Sequence, residues 1–175
     1  NSTVEYNSAS GQTISTANIN YGNLIVNNPA GTSISGTLNI NDTLNILSGF
    51  LNLNQNNIVL GNAGYLRETS GCTVRGTGGT ISTTRNLNAP AGENIAGLGA
   101  AITSAANLGA TTISRGHTVY TLGGVQGIKR YYNISPANNT GLNATLTYHY
   151  DNYELNGLNK NFLALYKSTN SGTNW

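Results

Sequence analysis

Residues 23–60 read NLIVNNPAGTSISGTLNINDTLNILSGFLNLNQNNIVL. Short apolar couplets recur in this stretch between Asn, Ser, Gly and Thr. Leu38/Ile40, Leu44/Ile46, Leu51/Leu53 and Ile58/Leu60 each place two apolar side chains two residues apart, which is the spacing of a strand with one buried face. The couplets begin six or seven residues apart, so the expected strands are short and each is followed at once by a turn. Slid against itself by 20 residues, the text sets Ile14 on Ile34, Leu24 on Leu44, Val26 on Ile46, Leu38 on Ile58 and Ile40 on Leu60. A period near 20 built from three such strands describes one coil of a β-solenoid. Pro29 with Gly31, Asn41-Asp42, Ser48-Gly49 and Gln55-Asn56 supply the corners, because Asn, Asp and Gly tolerate the left-handed backbone of tight turns. Asn39, Asn45 and Asn52 fall between the couplet members and face outward, toward solvent or toward one another along the stack.

Charge is scarce around this ladder. Only 8% of the 175 residues are charged, against roughly 25% in an average soluble protein. Solubility therefore rests on neutral polar groups, with 29 Asn, 22 Thr and 22 Gly, and the first 66 residues hold only Glu5 and Asp42 as acids or bases. A net charge of +2 with no basic cluster beyond Lys129-Arg130 gives no footing for nucleic acid. Carbohydrate-cleaving β-helix enzymes need clustered acids and bases on one face, and here Asp42 stands alone between Glu5 and Glu68. The expectation is a protein that is not an enzyme and uses no cofactor. The single cysteine, Cys72, forms no internal disulfide and belongs to no CxxC pair; its setting, TSGCTVRG, suits a small buried hydrophobe. No 18-residue apolar run is present, so no spanning helix is expected, and NSTVEYNSAS at the start lacks the basic and apolar regions of a signal peptide, as in a mature exported form.

Outward from the ladder, residues 1–22 carry Val4/Tyr6, Ile14 and Ile19/Tyr21 and read as an entry strand with a partial first coil. Residues 61–86 continue the pattern through Tyr65-Leu66-Arg67-Glu68, Thr73-Val74-Arg75 and Thr80-Ile81-Ser82; GTGG at 76–79 lacks the Lys-Ser/Thr and the helix of a phosphate loop. NLNAPAGEN, at 86–94, breaks the periodicity. The Ala-rich stretch 94–108 admits a turn of helix or a strand and loop. Beyond it the strands become longer and aromatic: Thr118–Leu122, Ile128–Ile134, Ala144–Tyr150 and Phe162–Tyr166. The expected fold is all-β, a short β-solenoid half over residues 1–86 followed by an antiparallel β-sandwich half over residues 87–175 with a small core of its own.

Few residues suggest chemistry. His117 and His149 have no carboxylate or cysteine at ligand spacing, and both read as structural or surface groups. Asp151, Asn152, Glu154 and Asn156 in DNYELNG gather oxygen atoms but do not match a calcium-loop spacing, so a plain loop is the better reading. Tyr131, Tyr132, Tyr148, Tyr150, Tyr153, Tyr166 and Trp175 offer ring faces for sugars, although alternation assigns about half of them to a core. Asn-x-Ser/Thr occurs at Asn1, Asn41, Asn133, Asn138 and Asn143, as chance allows in so Asn- and Thr-rich a chain, and Asp42-Thr43-Leu44 has the form of a bacterial O-glycosylation sequon centred on Thr43.

The second half, GLGAAITSAANLGATTISRGHT, IKRYYNISPANNTGLNATLTYHYDNYELNGL and FLALYKSTNSGTNW, resembles a module of large secreted and surface β-rich repeat proteins of bacteria that use type IX secretion. The elements that carry the likeness are Arg130 to Pro136, Leu142 to Leu146, Tyr150 to Gly157 and Ser168 to Trp175, preceded in that family by low-charge repeats like residues 23–49. Its members run on past the corresponding tryptophan into further domains and a sorting domain, whereas this sequence stops at Trp175. The resemblance implies an extracellular or cell-surface protein of adhesin or surface-fibre type, and it brings no catalytic residues. The combined expectation is a structural protein that self-associates as a homopolymer through strand addition or end-to-end packing, with Val4, Tyr6, Ile14 and Tyr21 as the interface candidates. The rival expectation is a carbohydrate-binding module of a secreted protein, its partners glycans or host cell surfaces.

Overall fold

The computed structural model describes residues 2–170 and 172–174; the sequon at Asn1 and the aromatic end at Trp175 lie outside the described residues. The chain is all-β, with about four solenoid turns followed by antiparallel sheets. The solenoid comprises β1 (Thr3–Tyr6), β2 (Gln12–Ile14), β3 (Asn20–Ile34), β4 (Leu38–Asn52), β5 (Ile58–Leu60), β6 (Tyr65–Glu68), β7 (Val74–Arg75) and β8 (Thr80–Asn88). All of its ladders are parallel. The five alignments read from the 20-residue shift are all backbone register pairs: Ile14 with Ile34, Leu24 with Leu44, Val26 with Ile46, Leu38 with Ile58 and Ile40 with Leu60. The period then lengthens, with Leu44 opposite Leu66 and Ile58 opposite Ile81. Every one of these aliphatic side chains is buried, so each column runs through the coils as a stack of apolar contacts.

The strands are longer than the couplets suggest, since β3 and β4 each run for 15 residues. Their corners turn by shifting register instead of leaving the ladder, at Val26/Asn27 and between Asn28 and Thr32. At the second corner Asn28 is wholly buried and fully bonded: its amide donates to Ser10 O and Gln12 Oε1, each at 2.9 Å, and its Oδ1 accepts the Ala30 N–H at 2.9 Å. Gly49 closes the corner above it with φ +74°, and a Cβ there would lie 1.9 Å from Asn28 O. Gly49→Ala is expected to cost at least about 2 kcal/mol, because left-handed strain and a backbone clash coincide. Urea unfolding checks this, and a variant as stable as the parent would show that the corner relaxes freely. Asn39, Asn45 and Asn52 are half-exposed. Side-chain bonds between coils are made by other residues: Thr13 with Ser33 at 3.3 Å, Asn27 to Glu5 at 3.0 Å, and Thr80 to Asn57 at 3.3 Å.

Beyond the solenoid come β9 (Ala91–Asn94), β10 (Ala100–Thr103), β11 (Asn107–Gly116), β12 (Thr121–Leu122), β13 (Val125–Gln126), β14 (Tyr131–Pro136) and β15 (Thr145–Tyr148). β8 pairs in parallel with β5 on one side and antiparallel with β11 on the other, and β14 follows β11. A second sheet, in the order β15-β10-β9, is antiparallel, and β12 with β13 makes a small hairpin. The Tyr132 ring on β14 meets the Tyr148 ring on β15 edge-on at 4.9 Å between centroids, which brings the two sheets together. The Ala-rich stretch 94–108 contains a 3-10 turn at Ile95–Gly97 and then strand.

Two expectations for this half are corrected. Leu98, Ala100, Ile102, Leu108 and Ile113 belong to the same hydrophobic cluster as the solenoid columns, so there is no separate core. The cause is β8, which is at once a coil strand and the first antiparallel strand, and which runs unbroken through residue 86. The segment Phe162–Tyr166 is not a strand. A 3-10 turn at Lys160–Phe162 leads into it, and Phe162, Leu165 and Tyr166 are 85%, 63% and 58% exposed. FLALY is apolar on both faces, which suits a strand covered on both sides, and no sheet edge among the described residues takes it up.

Candidate functional site

One inward column reads Tyr6, Val26 and Ile46 through three coils, and at the next coil it reads Glu68. A carboxylate closing an apolar column has to be neutralised where it stands. Arg115 does this from β11, where it lies opposite Ile81 on one side and Tyr132 on the other and is wholly buried. Its Nη1 donates to Glu68 Oε2 at 2.8 Å and its Nη2 to Oε1 at 2.6 Å, a two-bond clamp. Thr73 Oγ1 and the Val74 N–H donate to the same Oε1 at 2.6 and 2.8 Å. Burial alone raises the Glu68 pKa, but the charge and hydrogen bonds of Arg115 outweigh it and hold the carboxyl down to about 2.

A second pair lies beside the first. Arg130 Nε donates to the buried Glu154 Oε1 at 2.8 Å, and its Nη1 donates to His149 O at 2.6 Å. Arg130 Nη2 is 3.9 Å from Glu68 Oε2, so Arg115, Glu68, Arg130 and Glu154 form one chain of alternating charge. Glu154 Oε2 accepts the Asp151 N–H at 2.7 Å and Asp151 Oδ1 accepts the Tyr153 N–H at 2.9 Å, a capping box on the 3-10 turn Asn152–Leu155. The other Asp151 oxygen accepts the Gly71 N–H at 3.0 Å and pins this turn to the solenoid. Both carboxylates of DNYELNG are thus engaged within the protein. No group of three His, Cys, Asp or Glu among the described residues is placed to hold a metal.

His117 is buried against the same network, with Nδ1 3.7 Å from Glu154 Oε1. Burial lowers its pKa to about 4, with Arg115 and Arg130 pushing the same way and Glu154 opposing, so the imidazole is neutral at pH 7. Its Nε2 has no hydrogen-bond partner among the described residues. His149 is exposed and contributes its backbone, the carbonyl to Arg130 and the N–H to Gly99 O at 2.8 Å. Two clefts flank the network. One, of about 460 Å³, opens between Tyr65–Ser70 and the Arg130–His149 side; the other, of about 330 Å³, opens between Val74–Thr77 and His117. The acids and bases are paired with one another, with Arg115 Nε left without a partner among the described residues, and the arrangement acts as a clasp between the last coil and the antiparallel sheets.

The interface candidates are split by the fold. Val4 is 39% exposed on β1 and Tyr6 is half-buried, whereas Ile14 and Tyr21 are already buried by their own coil. β2 pairs with β3, which sets Ile14 against Ile34, and the Tyr21 hydroxyl donates to Ser15 O at 2.8 Å. What reaches the edge is Val4 with part of Tyr6. Thr43 is half-buried on β4, between Asn23 and Tyr65 of the neighbouring coils. Cys72 is half-buried and packs against the core. The charge network was missed at the level of sequence, although one sign of it was there: in Leu66-x-Glu68 an acid occupies the second couplet position.

The fold and the clasp together define a short, nearly uncharged β-solenoid closed on one side by antiparallel sheets. Comparison with protein-family models, curated proteins and solved structures gives no match, so the likeness to type IX surface modules rests on the quoted motifs alone.

Proposed function

We propose that this chain is a non-enzymatic extracellular structural protein, a segment of a surface fibre or adhesin, that self-associates by strand addition at the β1–β2 edge. The observation that carries the reading is the state of that edge. Among the described residues β1 and β2 pair only with β3, and β1 does so at a constant 20-residue offset, Thr3 opposite Asn23 to Tyr6 opposite Val26, without a bulge. Natural edge strands are blunted by Lys, Pro or bulges. β1 has no Lys, Pro or bulge, its protection being limited to its four-residue length and Glu5, and it presents Val4 beside the outward backbone groups of Thr3 and Glu5. A second copy that adds a parallel strand there extends the Leu24/Val26 column by one step and satisfies those groups. The neutral ladder supports the same reading, since few charges stand in the way of stacking.

Sedimentation and electron microscopy over a rising concentration series test it. The parent protein is expected to form oligomers, and Thr3→Pro, which removes a donor from the outward side of β1 and leaves the bonds to β3 in place, to remain monomeric with an unchanged far-ultraviolet spectrum. A parent that stays monomeric throughout, or a Thr3→Pro variant that assembles equally well, overturns the proposal.

A further inference from the structure

The smaller cleft has a different character from the clasp beside it. The capping box that holds Glu154 also fixes Tyr153, and the Lys129 N–H donates to Glu154 O at 2.7 Å, which brings Lys129 to the same ring. Arg75, at the end of β7, lies over Phe50 at 4.5 Å and over Tyr153 at 3.7 Å, and Lys129 Nζ lies 4.9 Å from the Tyr153 centroid. Neither cation makes an ion pair among the described residues. The one acid lining the cleft, Glu154, is committed to Arg130. In a chain with only eight Lys and Arg, two unneutralised cations thus converge on one tyrosine. Two buried polar atoms of lining residues, Arg75 Nε and His117 Nε2, have no partner among the described residues. Such atoms are rare in folded proteins and are costly unless something completes them.

We propose that this cleft binds an acidic saccharide through its carboxylate, with Arg75 and Lys129 as the charge partners. A guanidinium laid flat on rings turns its N–H edge outward toward a planar carboxylate; Arg75 commits only one long Nη2 bond, to Gly71 O at 3.5 Å, and a lysine beside it adds a point charge. At about 330 Å³ the cleft is at the lower limit of ligand-sized pockets and much larger than a bare carboxylate. The hydroxyls of Thr77 and Thr118 and the neutral His117 line it and suit sugar hydroxyls. Tyr153 does not serve as a stacking platform for a sugar; its ring organises the cations, so recognition runs through charge. Two cations are too few for the backbone of a nucleic acid. The site is independent of the β1 edge and of self-association.

Amide chemical shifts followed on the full chain at low ionic strength test the proposal, with trigalacturonate, galactotriose and acetate as probes. Trigalacturonate is expected to shift residues 74–77 and 129 and to lose affinity as salt is added, galactotriose to leave the spectrum unchanged, and acetate to bind at least about tenfold more weakly. Lys129→Gln, which leaves the Arg75 stack in place, is expected to weaken trigalacturonate by about tenfold, the loss of one charge-assisted bond. Absence of shifts with trigalacturonate, shifts elsewhere, or no effect of Lys129→Gln overturns the site. Acetate binding as tightly as trigalacturonate overturns the saccharide assignment.

Discussion

Arg115→Ala is expected to destabilise the fold by about 3–5 kcal/mol, a large share of what a domain of this size possesses. The loss comes less from the missing attraction than from what remains. Glu68 closes an apolar column, and without the two-bond clamp it keeps only the Thr73 and Val74 hydrogen bonds and Arg130 at 3.9 Å, with Oε2 left without a direct donor. The pair itself is not the most stable filling for that space, because removing both charges from water offsets much of their attraction. The double change Glu68→Leu with Arg115→Met, which continues the aliphatic column, is therefore expected to recover most of the loss. Denaturant unfolding of the two single variants and the double variant closes the cycle. A loss under about 1 kcal/mol for Arg115→Ala, or a double variant no better than Arg115→Ala, would remove the clasp from the account of stability.

Acid is expected to unfold the protein in two stages, each worth roughly 3 kcal/mol, from pKa changes of His117 and Glu68 on folding. His117 falls from its ordinary 6.5 to about 4, chiefly through burial. Its imidazole is neutral in the fold, so below pH 6.5 only the unfolded chain takes up the proton; stability is full above 6.5 and declines as the pH drops toward 4. Glu68 falls from 4.5 to about 2, burial being outweighed by Arg115. Its contribution is full above 4.5 and is lost as the pH falls through 2. Denaturation midpoints measured from pH 7 to pH 2 check both limbs. His117→Asn is expected to flatten the first limb and leave the second, and a parent whose stability is constant between pH 7 and 4 would contradict the assignment to His117.

The solenoid was legible because parallel, near-in-register stacking puts like residues on like. A coil that repeats its couplets at the period of the backbone prints its own register in the sequence, and Leu24, Leu44 and Val26, Ile46 align by inspection. The clasp was not legible. Arg115 stands 47 residues from Glu68 and Gly71 stands 80 from Asp151, and no local period relates them. The strand ends in the second half shifted for a related reason: alternation in IKRYYNI and ATLTYHY identifies faces, while the ends are set by partners elsewhere. For FLALY the apolar pattern suggests a strand that the chain does not form, because pairing requires an edge as well as a pattern.

β8 has a kinetic consequence. Among the parallel ladders before that strand each coil pairs with its neighbours, and those pairings close loops of about 20 residues, which form quickly and resemble the coupled sites of a one-dimensional chain. At β8 the polarity of pairing reverses, and beyond it come the longer closures, 47 residues for Glu68 with Arg115 and 80 for Gly71 with Asp151. Coils can therefore zip one after another from any nucleus, while the antiparallel sheets must wait for β6 and β8 to exist as a template. Local opening in the native protein follows the same order in reverse. It is easiest at β1, where a strand leans on one neighbour, and hardest at β8, where ladders of both polarities hold a single strand in place.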